Sequence, residues 1–257
     1  MAQRCTGTKM TKTIVLITGA NSGLGYALTA ALLADAGKHV LMGCRSIQKG
    51  RKAMDELSNL NLPGSMELLE IDVSNDSSIS KAAEIVTEKH GRLDVLVNNA
   101  AVGWQTGTLS KQMAAAYQTN TIGVFLTTEA FTPLLKKASS TPRVINISSG
   151  AGSISRTLDL GTNVPYNTLG PRAVAYCGSK AAMNLITATH ARVLEPEAFR
   201  VFAYSPGFIV SNLGPHNDAE HGARPAEEAA VPLVGLINGD RDDEHGCFLR
   251  ATGQQTW

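Results

Sequence analysis

Short apolar runs alternate with longer helical segments along nearly the whole chain. Residues 13–17 form a β-branched apolar run without polar interruption, which is typical of a strand that is buried on both faces. Similar runs predict further strands at 38–43, 66–71, 93–97, 143–147, 200–204 and 246–249, and the segments between them predict helices at 26–36, 46–59, 75–90, 109–137, 173–193 and 225–238. This alternation predicts an α/β fold of the doubly wound (Rossmann) class, with about seven parallel strands and helices on both faces.

No repeat or linker divides the chain, so we expect one domain over residues 13–257 and a flexible polar leader over residues 1–12. Two segments lack a helix or strand pattern. The loop 151–172 is long for a compact domain, which favours a lid or a substrate wall. The segment 208–222 is expected to be mobile.

Composition excludes several classes of protein. The chain has 257 residues, of which 43% are hydrophobic and 18% charged, and its net charge is +1. This balance gives no reason to expect nucleic acid or a membrane surface as a partner, and no apolar run is long enough to span a bilayer. The four cysteines are scattered and match no zinc spacing, so we expect reduced thiols in the cytoplasm and no metal.

A glycine-rich turn follows the first predicted strand and precedes the first helix. It reads Thr18-Gly19-Ala20-Asn21-Ser22-Gly23-Leu24-Gly25. Such a turn lets the backbone approach a pyrophosphate, and the helix N-terminus offers free N–H groups to it. Glycines in this spacing also suit any tight turn between a strand and a helix. The prediction of a phosphate site therefore depends mainly on the position of the turn directly after the first strand.

The end of the second strand indicates which dinucleotide binds. An acidic residue there would bind the ribose 2′-hydroxyl of NAD, whereas a basic residue accommodates the 2′-phosphate of NADP. This chain has Cys44, Arg45 and Ser46 and no carboxylate, which favours NADP(H). Arg45 could instead be an exposed residue at a helix start. After the third strand, Asp72 can face the adenine, cap the next helix, or do both.

Tyr176 and Lys180 are four residues apart in a predicted helix, so their side chains share a face. A nearby ammonium lowers the pKa of a phenol. A tyrosine adjusted in this way can give a proton to a carbonyl oxygen or take one from an alcohol. Taken alone, the pair is also common by chance on a surface helix.

Together these motifs resemble the short-chain dehydrogenase/reductase family from about residue 13 to residue 249. The resemblance rests on the glycine turn, Asp72, Asn98-Asn99-Ala100, Asn120, Ser149, Tyr176 with Lys180, and Ser205-Pro206-Gly207. The chain has Ala101 where the family usually has glycine.

The resemblance implies a catalytic tetrad. Tyr176 would be the general acid/base, Lys180 would lower its pKa and hold the nicotinamide ribose, Ser149 would bind the substrate oxygen, and Asn120 would hold a water in a proton relay. Ser148 is the alternative serine. The residues expected to bind NADP(H) are Thr18, Gly19, Asn21, Ser22, Gly23, Leu24, Gly25, Arg45, Ser46, Asp72, Val73, Asn99, Ala100, Tyr176, Lys180, Pro206, Gly207 and Ile209.

The function that follows is NADPH-dependent reduction of a small ketone or aldehyde, or the reverse oxidation. The alternatives are a non-redox or coupled cyclisation or isomerisation step on the same fold, and a non-catalytic NADP(H) sensor. Candidate substrate contacts are Ser149, Trp104, Tyr166 and Phe208, although Trp104 and Phe208 could equally pack in the core and Tyr166 could face solvent. The long gap between Ser149 and Tyr176 resembles that of carbonyl-reductase-like members, which favours a monomer over a dimer or tetramer.

Overall fold

The computed structural model describes residues 11–161 and 170–257. Most of the predicted leader, residues 1–10, lies outside the described part, so its flexibility stays a prediction. The same holds for Tyr166, which lies in the gap between the two described ranges.

The described residues form one parallel sheet of seven strands. The order across the sheet is β3-β2-β1-β4-β5-β6-β7, and every pairing is parallel, as in Val15 opposite Val40 on one side and Val95 on the other. The strands are β1 (Thr13–Thr18), β2 (Lys38–Cys44), β3 (Ser65–Glu70), β4 (Val95–Asn98), β5 (Arg143–Ile147), β6 (Arg200–Tyr204) and β7 (Phe248–Leu249). The chain order reverses between β1 and β4, and a crevice opens there at the carboxyl ends of the strands.

Helices cover both faces of the sheet. They are α1 (Gly23–Leu33), α2 (Ile47–Ser58), α3 (Asp76–His90), α4 (Leu109–Tyr117), α5 (Gly123–Leu135), α6 (Ile154–Leu158), α7 (Val174–Leu194) and α8 (Ala226–Asn238). Alternate strand residues divide the core: Val15 and Ile17 pack with α1, α2 and α8, whereas Ile14 and Leu16 pack with α3, α5 and α7. The predicted doubly wound fold is confirmed.

The helix predicted over 109–137 is interrupted. A π-helical turn, Gln118–Ile122, separates α4 from α5 and contains the fully buried Asn120. Helix α5 continues through Pro133 and ends two residues later, at Leu135. A proline in the last turn loses one backbone hydrogen bond without ending the helix at once.

The loop predicted at 151–172 is partly ordered into secondary structure. A 3₁₀ turn, Gly150–Gly152, leads into α6, and a second one, Gly170–Ala173, precedes α7. The C-terminal residues hold α6 in place, since Ser155 N donates to the Trp257 carbonyl oxygen at 3.1 Å. None of the described helices is both long enough and apolar enough to cross a membrane.

Candidate active site

A cavity of about 1050 Å³ lies at the carboxyl ends of the strands. It runs from the glycine turn, past the ends of β2 and β4, to the helix that carries Tyr176. Among the predicted site residues, it is lined by Gly19, Asn21, Ser22, Gly23, Leu24, Arg45, Ser46, Asp72, Val73, Asn99, Ala100, Trp104, Ser149, Tyr176, Lys180, Pro206, Gly207, Phe208 and Ile209. Three predicted residues do not line the cavity but pack or hydrogen-bond against residues that do: Thr18, Gly25 and Asn120.

The backbone of the glycine turn leaves little room for side chains and faces the cavity. Gly19 and Gly23 have positive φ angles of +67° and +53°, which glycine adopts without strain. A Cβ at Gly25 would overlap the Gly19 carbonyl oxygen and lie 2.7 Å from Asn99 Nδ2. The side chain of Ser22 makes no capping hydrogen bond at the start of α1. The helix N-terminus therefore presents N–H groups to the cavity.

Thr18 and Asn99 join the ends of β1 and β4. Thr18 Oγ1 accepts hydrogen bonds from the backbone N–H groups of Asn99 and Ala100, both at 3.0 Å. Asn99 Nδ2 donates to the carbonyl oxygens of Thr18 at 2.8 Å and Gly19 at 3.2 Å. Since Thr18 is buried, it shapes the floor of the crevice and does not line it.

The end of the cavity beside the tip of β2 carries two cationic side chains. Arg45 and Lys49 both line it, and both are exposed. Lys49 was missed by the sequence reasoning, although a signal was there, because it is a basic residue in the first turn of α2, directly after Arg45 and the N-cap Ser46. Asp72 lines the cavity and also accepts hydrogen bonds from Ser74 N at 3.0 Å and Ser74 Oγ at 2.6 Å. Asp72 does not cap α3, however, because the N-cap is Asn75, whose Oδ1 accepts a hydrogen bond from Ser78 N at 3.1 Å.

The two serines after β5 have different environments. Ser148 is buried and its hydroxyl donates to Asn184 Oδ1 at 2.6 Å. Ser149 is half-buried and lines the cavity together with Tyr176, and its hydroxyl acts to lower the pKa of that phenol. This difference favours Ser149 over Ser148 as the serine that meets a ligand.

Tyr176 and Lys180 share one face of α7, as their spacing predicts. Lys180 is almost fully buried, its Nζ donates to the Ile147 carbonyl oxygen at 2.7 Å, and that Nζ lies 5.9 Å from the centre of the Tyr176 ring. Burial raises the pKa of Tyr176 to about 12, against the opposing effect of the Ser149 hydroxyl. Burial also lowers the pKa of Lys180 to about 7.

The pKa of Tyr176 in the free protein therefore differs from the expectation that a lysine would lower it. A cation stabilises a phenolate only while it is charged, and the same burial that disfavours the phenolate disfavours the ammonium. With a pKa of about 12, Tyr176 holds its proton throughout the neutral range. The free protein thus presents a protonated phenol, which is the form that a proton donor needs.

Asn120 holds together the elements around the pocket. Its Oδ1 accepts from Val102 N at 2.9 Å, and its Nδ2 donates to the Val102 carbonyl oxygen at 2.8 Å and to Ser179 Oγ at 3.0 Å. The amide is therefore occupied by contacts between the loop after β4 and α7. The predicted role in a water relay stays a prediction.

The outer wall of the cavity is formed by residues from three separate segments. Trp104 and Phe208 both line it and are 40% and 46% exposed, so neither is a core residue. Arg156 of α6 also lines the wall, with its guanidinium against Gly150. No sequence pattern identified Arg156, because its position depends on the path of an irregular segment.

Comparison with known proteins places the chain among dehydrogenases. The family model for short chain dehydrogenases matches residues 13–221. A short-chain dehydrogenase named anuI from Penicillium roqueforti is 36% identical over 230 residues, which is 88% of each chain.

Two solved structures are also similar. The NADPH-bound carbonyl reductase from chicken fatty liver superimposes with a TM-score of 0.81 at 29% identity, covering 96% of this chain and 100% of that one. The RhlG/NADP active-site complex from Pseudomonas aeruginosa gives a TM-score of 0.78 at 26% identity, covering 94% and 95%.

Proposed function

Because the chain belongs to the short-chain dehydrogenase family, we propose that it reduces a small ketone or aldehyde to an alcohol with NADPH, or catalyses the reverse oxidation. The observation that carries this proposal is the pairing of two hydroxyls in one crevice. Ser149 and Tyr176 both line the cavity that the glycine turn enters, and the Ser149 hydroxyl is near enough to the phenol to lower the pKa of Tyr176.

The residues of the crevice suit a pyridine dinucleotide. The glycine turn and the N-terminus of α1 would hold the pyrophosphate. Arg45 and Lys49 would hold the 2′-phosphate, which supports NADP(H) over NAD(H). The NADPH and NADP complexes of the two similar structures support the same choice. When bound, NADPH supplies the hydride.

Ser149 and Tyr176 would act on the substrate oxygen. As negative charge develops on that oxygen, each hydroxyl can donate a hydrogen bond to it. Tyr176, which is protonated in the neutral range, then transfers its proton to the oxygen. Lys180 would hold the ribose beside it, and its ammonium form would ease loss of the Tyr176 proton.

The test is NADPH oxidation with a panel of ketones, aldehydes and quinones, in the wild type and in Tyr176→Phe. Loss of the phenol should lower kcat by roughly 10²–10⁴-fold, as expected for a general acid, and should leave the Kd for NADPH within about threefold, because the ring stays in place. Tyr204→Phe is the matched control, since Tyr204 is buried outside the cavity and should keep wild-type kcat.

Three outcomes would contradict the proposal. Wild-type turnover in Tyr176→Phe would remove the acid/base assignment. NADPH binding without oxidation by any carbonyl compound would identify a sensor, and product formation without NADPH oxidation would identify a non-redox enzyme.

A further inference from the structure

Three side chains with metal-binding chemistry meet at the amino ends of the strands, opposite the cavity. His39 lies near the start of β2, Glu67 lies in β3, and His90 is the last residue of α3. Their ligand atoms all lie within 4.8 Å of one another. Sequence spacing could not show this group, because its members are separated by 28 and 23 residues (67 minus 39 and 90 minus 67) and only the fold unites them.

The hydrogen bonds of this group leave one imidazole nitrogen without a partner. His39 Nδ1 is hydrogen-bonded to Ser65 Oγ at 2.8 Å. His39 Nε2 is buried and has no hydrogen-bond partner among the described residues. In the tautomer that donates Nδ1–H to Ser65, Nε2 carries a free lone pair. An imidazole oriented through one nitrogen, with the other nitrogen open, is the arrangement found in metal-binding histidines.

We propose that His39, Glu67 and His90 bind a single divalent transition-metal ion of the Zn²⁺ type. Two imidazoles and one carboxylate supply three ligands, and a water molecule would complete a tetrahedral site. Imidazole ligands favour zinc and its neighbours over magnesium or calcium, which prefer oxygen. His90 Nε2 and Glu67 Oε1 are hydrogen-bonded at 2.7 Å. This hydrogen bond would break when both atoms coordinate the ion.

Two lysines border the group and weaken its attraction for a cation. Lys89 Nζ lies 3.7 Å from Glu67 Oε2, but its side chain is 56% exposed and can move into solvent. Lys12 Nζ donates to Ser65 Oγ at 3.0 Å, so it contacts the residue that orients His39. The competing interpretation is a hydrogen-bonded network that holds no ion. Metal titration of the wild type separates the two interpretations.

The bound ion would stabilise the protein and not take part in catalysis. His39 and Arg45 lie near opposite ends of β2, which at a rise of about 3.3 Å per residue puts them roughly 20 Å apart. The three ligands come from β2, its neighbour β3 at the sheet edge, and α3. An ion held by them would link these elements in the folded state and be released on unfolding.

The experiment is calorimetric titration of the metal-free full-length protein with Zn²⁺, together with Co²⁺ absorption spectroscopy. We expect one ion per chain, a tetrahedral Co²⁺ spectrum, and a rise in the unfolding temperature with Zn²⁺ but no change in NADPH oxidation. Glu67→Gln and His90→Gln should each raise the Kd at least about tenfold. The control is the double variant His216→Gln/His221→Gln, whose rings form a separate exposed pair 4.5 Å apart; it should bind as the wild type does.

Absence of a stoichiometric site in the wild type would overturn the proposal, as would tight binding that persists in both Glu67→Gln and His90→Gln. If a variant fails to fold, the wild type alone still decides. Zn²⁺ should then protect His39 and His90 from diethyl pyrocarbonate while His216 and His221 continue to react, and equal reaction of all four would again contradict the site.

Discussion

At the scale of single residues, Lys180 is unusual because an amine is almost fully buried without a carboxylate partner among the described residues. In the unfolded chain it keeps its proton up to its ordinary pKa of 10.5, whereas in the folded protein its pKa is about 7. Between these values the unfolded state binds more protons than the folded state. Stability should therefore rise with pH over this window.

We expect the free energy of unfolding of the ligand-free protein to rise from pH 7 to about pH 8.5 by up to ~1.4 kcal/mol per pH unit through Lys180. Lys180→Met, similar in length and uncharged, removes this contribution. Urea unfolding at both pH values gives the change in the free energy of unfolding per pH unit. The effect of Lys180 is the difference in that change between wild type and variant. Higher pH is avoided because burial raises the pKa of the thiols of Cys44 and Cys177 to about 11, which opposes the trend. Equal slopes would show that Lys180 is neither deprotonated nor desolvated.

Arg45 and Lys49 give a second prediction at this scale. Both line the cavity where the 2′-phosphate would lie, and both are exposed, so each contributes less than a buried ion pair would. Arg45→Gln should weaken NADPH binding roughly tenfold and leave NADH binding unchanged, because only NADPH carries that phosphate.

Fluorescence titration with the two dinucleotides measures the Arg45→Gln effect, and Lys49→Gln should follow the same pattern. Lys52→Gln is the control, since Lys52 is exposed on the same helix and does not line the cavity. An equal loss of NADH affinity in Arg45→Gln would refute the assignment to the 2′-phosphate.

At the scale of elements, the turn from β1 to α1 has no room for a side chain at its last glycine. Gly25→Ala would push its methyl group against the Gly19 carbonyl oxygen and Asn99 Nδ2. Overpacking of this kind costs about 1–3 kcal/mol, and here it would displace the phosphate-binding loop. We expect lower stability and loss of measurable NADPH binding.

Gly161→Ala is the matched control for the glycine turn. Among the described residues a Cβ there would meet Asp159 Oδ1 alone, at an ordinary contact distance of 3.4 Å, so stability and NADPH affinity should stay near those of the wild type. Thermal unfolding and fluorescence titration compare the two variants. If Gly25→Ala bound NADPH normally, the glycine turn would not be the phosphate site.

The elements that the sequence predicts well are those fixed by local patterns. Mostly apolar runs place most strands within one or two residues of their observed bounds, because a parallel strand buried on both faces is composed largely of apolar residues. The π-helical turn around Asn120 was not predicted, since no proline marks an interruption there, and the contacts of Asn120 with Val102 and Ser179 are visible only in the folded protein. Helix α6 was missed because its anchor, the Trp257 carbonyl, is about 100 residues away.

In the candidate site, too, features set by local sequence were predictable and features set by tertiary contacts were not. The lining residues on the strand ends could be predicted, because parallel strands deliver their carboxyl ends to one edge. Only the three-dimensional structure shows that Thr18 and Asn120 support the site through hydrogen bonds and that Arg156 lies in the cavity wall. The pKa values also required the structure, since the burial that governs Tyr176 and Lys180 is a property of the assembled core.

At the scale of the whole molecule, the sheet edge at β7 is covered by the chain itself. Gln255 N donates to the Phe248 carbonyl oxygen at 2.7 Å, and Leu249 forms an antiparallel bridge with Gln254. Trp257 stacks on Phe248 with ring centres 5.4 Å apart. An edge occupied in this way is closed to a strand from a second copy.

We therefore expect a monomer of about 27.1 kDa by light scattering at micromolar concentration, in line with the prediction from the long segment before Tyr176. Among the described residues, one candidate surface for self-association is the outer face of α7, where Leu185 and Val193 are 71% and 64% exposed. A mass near twice the monomer value would contradict the prediction. In that case Leu185→Glu should restore the monomer, because a charge buried without a partner at an interface is strongly unfavourable. The control Val231→Glu, at a residue of α8 that is 66% exposed, should not.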